Sequence, residues 1–341
     1  MPLIDYQKLQ DSYDSDGFYA LQLEVGDLCN QGCVYCYMNA LPRKINSLTD
    51  DQIASILYDS KKMGITAIEW LGGEPLLREG IFEHMALALE LNLKNNIWSG
   101  GLPLKDEKIL ENCMSNARNG LISVHVSTIN PQLYELLHPG HSARELDEIS
   151  SAVDNLITMG YPSDQVLNSV TFTGLQPAED MIETFEYFND KWGIKPSLNV
   201  YHTYLRPGTS PGQLSRFIPS RKEVAKVHKK YSELYDLKDL PMNCVNKQYC
   251  SATLAVLCDG SVTPCATIRD PDAPNIHDKR SFLEIVEETR DYLNIQELKD
   301  IKNRPEGCQK CKLSDECWGC RSRAFASGNG ILGRDPRCFR S

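Results

Sequence analysis

No apolar run in the 341 residues approaches the ~20 that a membrane-spanning helix needs. Basic residues form no block and the net charge is −10, which argues against a protein that tracks a phosphate backbone. The chain starts MPLIDYQKLQDSYDSDG, which is acidic and lacks the apolar h-region of a signal peptide. The expectation is a soluble cytoplasmic protein with no membrane and no nucleic-acid partner. Histidine is scarce, seven residues in all, and none stands beside the first cysteines. Disulfides are uncommon in a chain without an export signal, yet thirteen cysteines are present. They therefore point to metal or redox chemistry.

What is there is ordinary globular composition, 41% hydrophobic and 24% charged, enough for one large domain and a smaller one. The cysteines are uneven: three near the start, one at Cys113, and nine from Cys244 to Cys338. The first three, Cys29, Cys33 and Cys36, fall within eight residues in YALQLEVGDLCNQGCVYCY (19–37). Alternating Tyr19, Leu21, Leu23 and Val25 read as a strand that runs into them. A disulfide would leave one thiol over, and a closed zinc site wants four ligands. A cubane [4Fe–4S] cluster, held by thiolates, fits three cysteines and keeps one iron open to a small molecule.

Downstream, strand-like and helix-like segments alternate. LTDDQIASILYDSKKMG reads as a helix, with Thr49 and Gln52 as a capping box and Gly64 as its stop; Ile53, Ile56, Leu57 and Lys61 trace its inward side. Strands are expected at 66–71, 95–100, 121–128, 166–172 and 196–205, with helices at about 76–93, 105–118, 143–160 and 178–193. Six β-α units in series imply an α/β fold with a parallel sheet curling toward a barrel. In such barrels functional groups sit at the carboxyl ends of the strands. The three cysteines follow strand one, and Gly72, Gly73, Glu74 and Pro75 follow strand two. Alone, GGEP reads as a simple strand-to-helix turn with an early helical proline.

The spacing C-x3-C-x2-C with Tyr35 before the last cysteine, followed by GGEP, resembles the radical S-adenosylmethionine (radical SAM) superfamily. The resemblance covers most of residues 19–205 and implies a partial (β/α)6 TIM-like barrel. It implies that Cys29, Cys33 and Cys36 hold a [4Fe–4S] cluster whose open iron chelates S-adenosylmethionine. Reductive cleavage would yield a 5′-deoxyadenosyl radical that abstracts a substrate hydrogen. By the same resemblance Gly72, Gly73, Glu74 and Pro75 contact the methionine amino group. Tyr35 neighbours the adenine, and Ser99, Ser127 and Asn168 serve the ribose and carboxylate. Outside it, Tyr35 reads as a core aromatic, and a lone serine or asparagine near a strand end as a turn or cap. Arg206 is a candidate for a carboxylate and otherwise a solvated arginine. No general acid or base stands out.

The remaining cysteines read Cys244-x5-Cys250-x14-Cys265, then Cys308-x2-Cys311-x5-Cys317-x2-Cys320, then Cys338. LAVLCDGSVTPC between them reads as a hairpin turning at Asp259-Gly260. Taken alone, the C-x2-C pairs suit a zinc ribbon equally well. The pattern resembles the SPASM domain of radical SAM enzymes such as anaerobic sulfatase-maturing enzymes and peptide modifiers. That implies one auxiliary [4Fe–4S] cluster on Cys244, Cys250, Cys265 and Cys320, and another on Cys308, Cys311, Cys317 and Cys338. One departure is the pair of residues, Trp318 and Gly319, between Cys317 and Cys320 where the family pattern has three. Cys113 and Cys258 are left as buried, hydrophobe-like thiols.

The expected organisation is an N-terminal extension (1–18), the barrel (19–215), a linker helix (216–240) and the cysteine-rich domain (241–341). About twenty residues before strand one leave no room for a winged-helix leader-binding domain. The resemblance implies three [4Fe–4S] clusters, S-adenosylmethionine, a flavodoxin- or ferredoxin-type electron donor, and a peptide or small-molecule substrate. Three functions compete: peptide or protein modification, with the auxiliary clusters oxidising the substrate radical; small-molecule radical chemistry in cofactor, tetrapyrrole or natural-product synthesis; and a non-enzymatic metal scaffold. GGEPLLR also occurs in the molybdenum-cofactor cyclase. That enzyme has three C-terminal ligands at a wider gap and a final glycine pair, whereas this chain ends CFRS, so that match is set aside.

Overall fold

The computed structural model describes residues 4–40, 42–202, 211–236, 238–278 and 280–340. A helix α1 (Tyr6–Asp14) precedes strand β1 (Ala20–Glu24). Then come α2 (Asp50–Lys62), β2 (Ala67–Leu71), α3 (Ile81–Glu90), β3 (Lys94–Trp98), α4 (Glu107–Asn116) and β4 (Leu121–His125). A short α5 (Pro131–Leu137), α6 (Arg144–Thr158), β5 (Val166–Phe172), α7 (Ala178–Trp192) and β6 (Lys195–Val200) complete the alternation. Expected strands two to six all form, and strand six is described only to Val200. Arg206 lies outside the described residues.

Local chemistry starts and stops these helices. Thr49 Oγ1 accepts from the Gln52 backbone at 3.2 Å, and Gln52 Oε1 accepts from the Thr49 backbone at 2.8 Å. Together they close the capping box of α2. Asp50 and Asp51 in its first turn and Lys61 and Lys62 in its last complement the helix dipole. Its buried side carries Ile53, Ile56, Leu57 and Ser60. Lys61, expected inward, is exposed; Ser60 takes the inward place and donates to Ile56 O at 2.7 Å.

The sheet order is β6-β5-β4-β3-β2-β1-β7-β8. The first six strands are parallel, as expected. On the other side of β1 lies a strand from far along the chain. β7 (Thr253–Val256) pairs parallel to it, Ala20 opposite Thr253. The expected hairpin then forms, with β8 (Val262–Thr263) antiparallel to β7 and Gly260 in the turn at φ +88°. The curl stays open, since among the described residues no strand joins β6 to β8.

Strand alternation divides the residues cleanly. Leu21, Leu23, Ile68, Trp70, Ile97 and Val124 share one core with the helices. Leu254 and Val256 of β7, and Phe282, Ile285 and Val286 of a later helix, join that same core. The cysteine-rich segment thus builds on the barrel's own hydrophobic core. The opposite strand face is also buried, but polar: Gln22, Glu69, Ser123, His125, Ser169 and Asn199 line an interior cavity.

Two more helices follow β6: α8 (Pro211–Leu214) and α9 (Arg221–Tyr235). The latter, expected as a linker, packs on the sheet. Val224 and Val227 share a core with Val170, Phe172, Phe185 and Leu198. Its lysines face outward, with Lys226 paired to Glu179 and Lys230 to Glu186.

Candidate functional site

The parallel strands point their carboxyl ends at one rim, and the interior cavity opens there with a volume of about 290 Å³. Cys29, Cys33 and Cys36 line it, together with Tyr35, Gly72, Gly73 and Ser99. The thiols lie close enough to act electrically, Cys36 and Cys29 on Cys33, whose pKa is raised by burial first and by these two neighbours next. Burial pushes the Cys29 thiol up to about 11. A buried thiol of this kind becomes a ligand only when a metal displaces its proton.

Two glycines hold the cysteine loop in place. The backbone of Gly73 donates to Gly26 O and that of Glu74 to Leu28 O, both at 2.8 Å. A Cβ on Gly73 would stand 2.2 Å from Leu28 O, and one on Gly72 2.5 Å from Gly26 O. The close approach anticipated for a ligand is therefore made, in the described chain, to the segment leading into Cys29.

Glu74 is buried and turned on its neighbours. Its carboxylate accepts from Gly100 N at 2.6 Å, Ser99 Oγ at 3.0 Å and Leu76 N at 3.1 Å. Burial outweighs these donors and pushes its pKa up to about 7. Glu74 and Pro75 sit behind the cavity wall that Gly72, Gly73 and Ser99 form. Asn168 is not brought to the cavity either. Its side chain bridges the Val126 backbone, accepting from N and donating to O at 3.0 Å each. Strand parity explains this: on β5 it is Ser169 and Thr171 that line the interior.

Tyr35 is the core aromatic expected of it, packed with Leu137, Tyr201 and Phe217, and it also lines the cavity. Its ring stacks on His125, and its hydroxyl lies 2.9 Å from His125 Nε2 and 3.3 Å from both His138 Nε2 and Ser127 Oγ. His138 Nδ1 donates to Tyr134 O at 3.0 Å, so its Nε2 is the acceptor. Burial pushes His125 down to about 3 and His138 to about 4, so both rings are neutral. Ser127 accepts from Thr171 N at 2.9 Å. Ser127, expected at the site, is fully buried and does not line the cavity, whereas His125, two residues earlier, does. The period of two in LISVHVST carries the signal for His125.

The cavity continues from the three N-terminal cysteines to Cys244, Cys250, Cys265 and Cys320. Those four thiols are mutual neighbours: Cys250, Cys265 and Cys320 all act on Cys244. Cys308, Cys311, Cys317 and Cys338 line a separate small cavity of about 30 Å³. The short Trp318–Gly319 link spans the two groups because Gly319 adopts φ +68°. Its amide donates to Cys317 Sγ at 3.2 Å. A buried ion pair pins the same region: Asp335 takes Arg323 at 2.8 and 2.9 Å and accepts from Cys320 N at 2.8 Å. Cys113 and Cys258 stay outside all three groups. Cys113 lies in the core, and the Cys258 amide donates to Glu24 at 3.2 Å.

Among the described residues no group of three or more His, Cys, Asp or Glu is arranged to hold a single metal ion. A larger thiolate-bound group suits the donors better. The acceptors on offer are sulfur, and besides Gly319 two amide donors point at thiols, Ala40 N at Cys36 Sγ and Leu313 N at Cys311 Sγ, both at 3.5 Å. Three further buried N–H donors beside the C-terminal thiols, on Trp318 and Arg321, lack an acceptor among the described residues.

Fold and site together define an open, parallel α/β barrel with a thiol-lined cavity at the carboxyl ends of its strands. Residues 23–188 match the Radical SAM superfamily; the chain is an enzyme that carries a radical SAM domain, and that domain implies a [4Fe–4S] cluster and S-adenosylmethionine. Its sequence relatives include the "Probable GTP 3′,8-cyclase" of Methanosarcina mazei, 22% identical over 317 residues, 84% of this chain and 91% of that protein. The GTP 3′,8-cyclase of Peptoclostridium acidaminophilum is 26% identical over 215 residues, 61% of this chain and 62% of that protein. Among solved structures, anSMEcpe with bound AdoMet superposes with a TM-score of 0.69 at 19% identity, covering 94% of each chain. Streptococcus suis SuiB bound to S-adenosylmethionine gives 0.68 at 15% identity, over 97% of this chain and 80% of that one. These likenesses establish the shared fold. Among the described residues no helix is long and apolar enough to cross a membrane.

Proposed function

We propose that this radical SAM enzyme modifies a peptide or protein in the cytoplasm and holds three [4Fe–4S] clusters. Cys29, Cys33 and Cys36 would hold the first, beside S-adenosylmethionine at Gly72, Gly73 and Ser99. Cys244, Cys250, Cys265 and Cys320 would hold the second, and Cys308, Cys311, Cys317 and Cys338 the third, in a cysteine-rich domain from about residue 241. When bound, the first cluster and S-adenosylmethionine supply the adenosyl radical, and the other two an acceptor for an electron from the substrate. The chain's own residues shape and dry the cavity: Tyr35 and neutral His125 wall it, and Glu74 anchors Ser99 and Gly100. A flavodoxin or ferredoxin would serve as electron donor.

One observation carries this reading: two C-terminal groups of four thiols, one opening on the cavity of the N-terminal three. The fold likeness extends to anSMEcpe with AdoMet and the Cp18Cys peptide and to SuiB with precursor peptide SuiA, which supports a peptide substrate. The second reading is small-molecule chemistry, favoured by the cyclase relatives, whose name specifies a nucleotide. The eight-thiol C-terminal set weighs against a cyclase.

Anaerobic reconstitution tests the proposal. Expected are three clusters' worth of iron and sulfide, and 5′-deoxyadenosine on reduction with S-adenosylmethionine. Cys308→Ala with Cys311→Ala should keep 5′-deoxyadenosine and abolish substrate oxidation. Iron for one cluster only would refute the three-cluster assignment. Turnover of GTP, with none of candidate peptides, would decide for the second reading.

A further inference from the structure

The run Cys317–Trp318–Gly319–Cys320–Arg321 links the two C-terminal thiol groups, since Cys317 belongs to one and Cys320 to the other. Arg321 is only 2% exposed. Its Nη1 is fully used, donating to Ile331 O at 2.8 Å and Gly333 O at 2.7 Å. Nε and Nη2, which share the opposite edge of the planar guanidinium, are buried and have no acceptor among the described residues. Trp318 Nε1 is in the same condition. Nor does any carboxylate among the described residues pair with Arg321. The contrast is two residues away: Arg323, equally buried, is neutralised by Asp335.

A buried guanidinium without counter-charge is strongly unfavourable, and two free donors on one edge suit a bidentate anionic acceptor. The surroundings say which anion. Arg321 lines the cavity beside Cys244, Cys250, Cys265 and Cys320, and its charge acts on Cys250 in one group and Cys308 in the other. Gly319 keeps the space open: a Cβ there would stand 3.1 Å from Arg321 Nη2.

We propose that the open edge of Arg321 donates to the anionic iron–sulfur group held by Cys244, Cys250, Cys265 and Cys320, and so raises that group's reduction potential. This rests on the cluster assignment above. The physical reason is that a fixed cation and N–H···S bonds favour the more negative, reduced form of a cluster. The acceptor facing the cavity is thereby made easier to reduce. The two loop carbonyls hold the guanidinium in place, so its charge is not lost to solvent.

The test is a potentiometric titration, followed by electron paramagnetic resonance, of the anaerobically reconstituted full-length enzyme and its R321M and R321K variants. For R321M, the reduced-to-oxidised ratio of that cluster at a fixed potential should fall at least about tenfold, a shift of 59 mV for a one-electron couple. R321K keeps the charge and loses the fork, so its shift should have the same sign and be smaller. The N-terminal cluster should not move and serves as the internal reference. Full iron and sulfide with an unchanged potential in both variants would overturn the inference and leave the cluster assignment standing. Wild-type enzyme lacking the C-terminal clusters would overturn the assignment itself. R321K covers the event that R321M does not fold, because it can still reach the loop carbonyls.

Discussion

Arg269 binds both carboxylate oxygens of Glu24, Nη1 to Oε2 at 3.0 Å and Nη2 to Oε1 at 2.5 Å, across 245 residues of sequence. Glu24 ends β1 and is fully buried. Tyr37, next to Cys36, adds its hydroxyl to the same carboxylate at 3.0 Å, and Cys258 its amide at 3.2 Å. One carboxylate thus ties the first strand, the N-terminal cysteine loop and the hairpin β7–β8 together.

Glu24→Gln should destabilise the protein by about 3 kcal/mol, the lower end for breaking a buried pair, because the Arg269 side chain keeps 24% exposure. Urea unfolding of the metal-free protein measures it. A change under about 0.5 kcal/mol would mean that water, not Glu24, satisfies Arg269.

His228 is buried against Phe339 and Tyr231, and neither ring nitrogen has a partner among the described residues. Burial pushes its pKa down to about 3. A depressed pKa contributes stability that is present above the ordinary value near 6.5 and is lost as pH falls toward the folded value. His228→Leu should therefore flatten the fall in melting temperature between pH 6.5 and 4. It should be neutral or stabilising at pH 7, since an unpaired polar group is removed. An unchanged acid slope would show the ring to be protonated or paired in the folded state.

Glu74 works in the opposite sense. Its pKa is pushed up to about 7 by burial, so its contribution is complete below the unfolded value near 4.5 and disappears as pH rises through 7. Metal-free wild-type protein should lose more stability than Glu74→Gln between pH 5 and 8, by up to about 3 kcal/mol. Thermal melts of the two proteins across that range decide it; parallel curves would place the Glu74 pKa near its ordinary value.

Gly73→Ala forces a Cβ to within 2.2 Å of the Leu28 carbonyl. That neighbour is backbone, so the cost should be at or above the usual overpacking range of about 1–3 kcal/mol. The loop carrying Cys29 should be displaced with it. Reconstituted iron should drop by the share of the N-terminal cluster, leaving that of the proposed C-terminal clusters. Normal iron content and stability would mean the loop is not held by Gly73.

Much of this was readable in the chain. The capping box of Thr49 and Gln52, the strands after it and the helix at Ala178–Trp192 follow local rules of period, caps and turns. Gly260 in its hairpin does too. Tyr35 reaches the cavity because motif and strand end coincide, whereas Ser127 stays behind its wall and His125, which strand parity marks, lines it. Glu74 and Asn168 were legible as residues but not as geometry, because the partners that turn them from the cavity, Gly100 and Val126, are set by neighbouring strands.

Cysteine spacing, helix periodicity and turn chemistry are properties of a dozen neighbouring residues, so the sequence by itself determined the barrel class and the sets of thiols. The tertiary structure alone decided that β7 docks beside β1, that Arg269 reaches Glu24, and that Arg321 is buried with one edge unpaired among the described residues. Those depend on where distant segments meet when apolar surface and charge leave water together, and no local pattern encodes a meeting across two hundred residues.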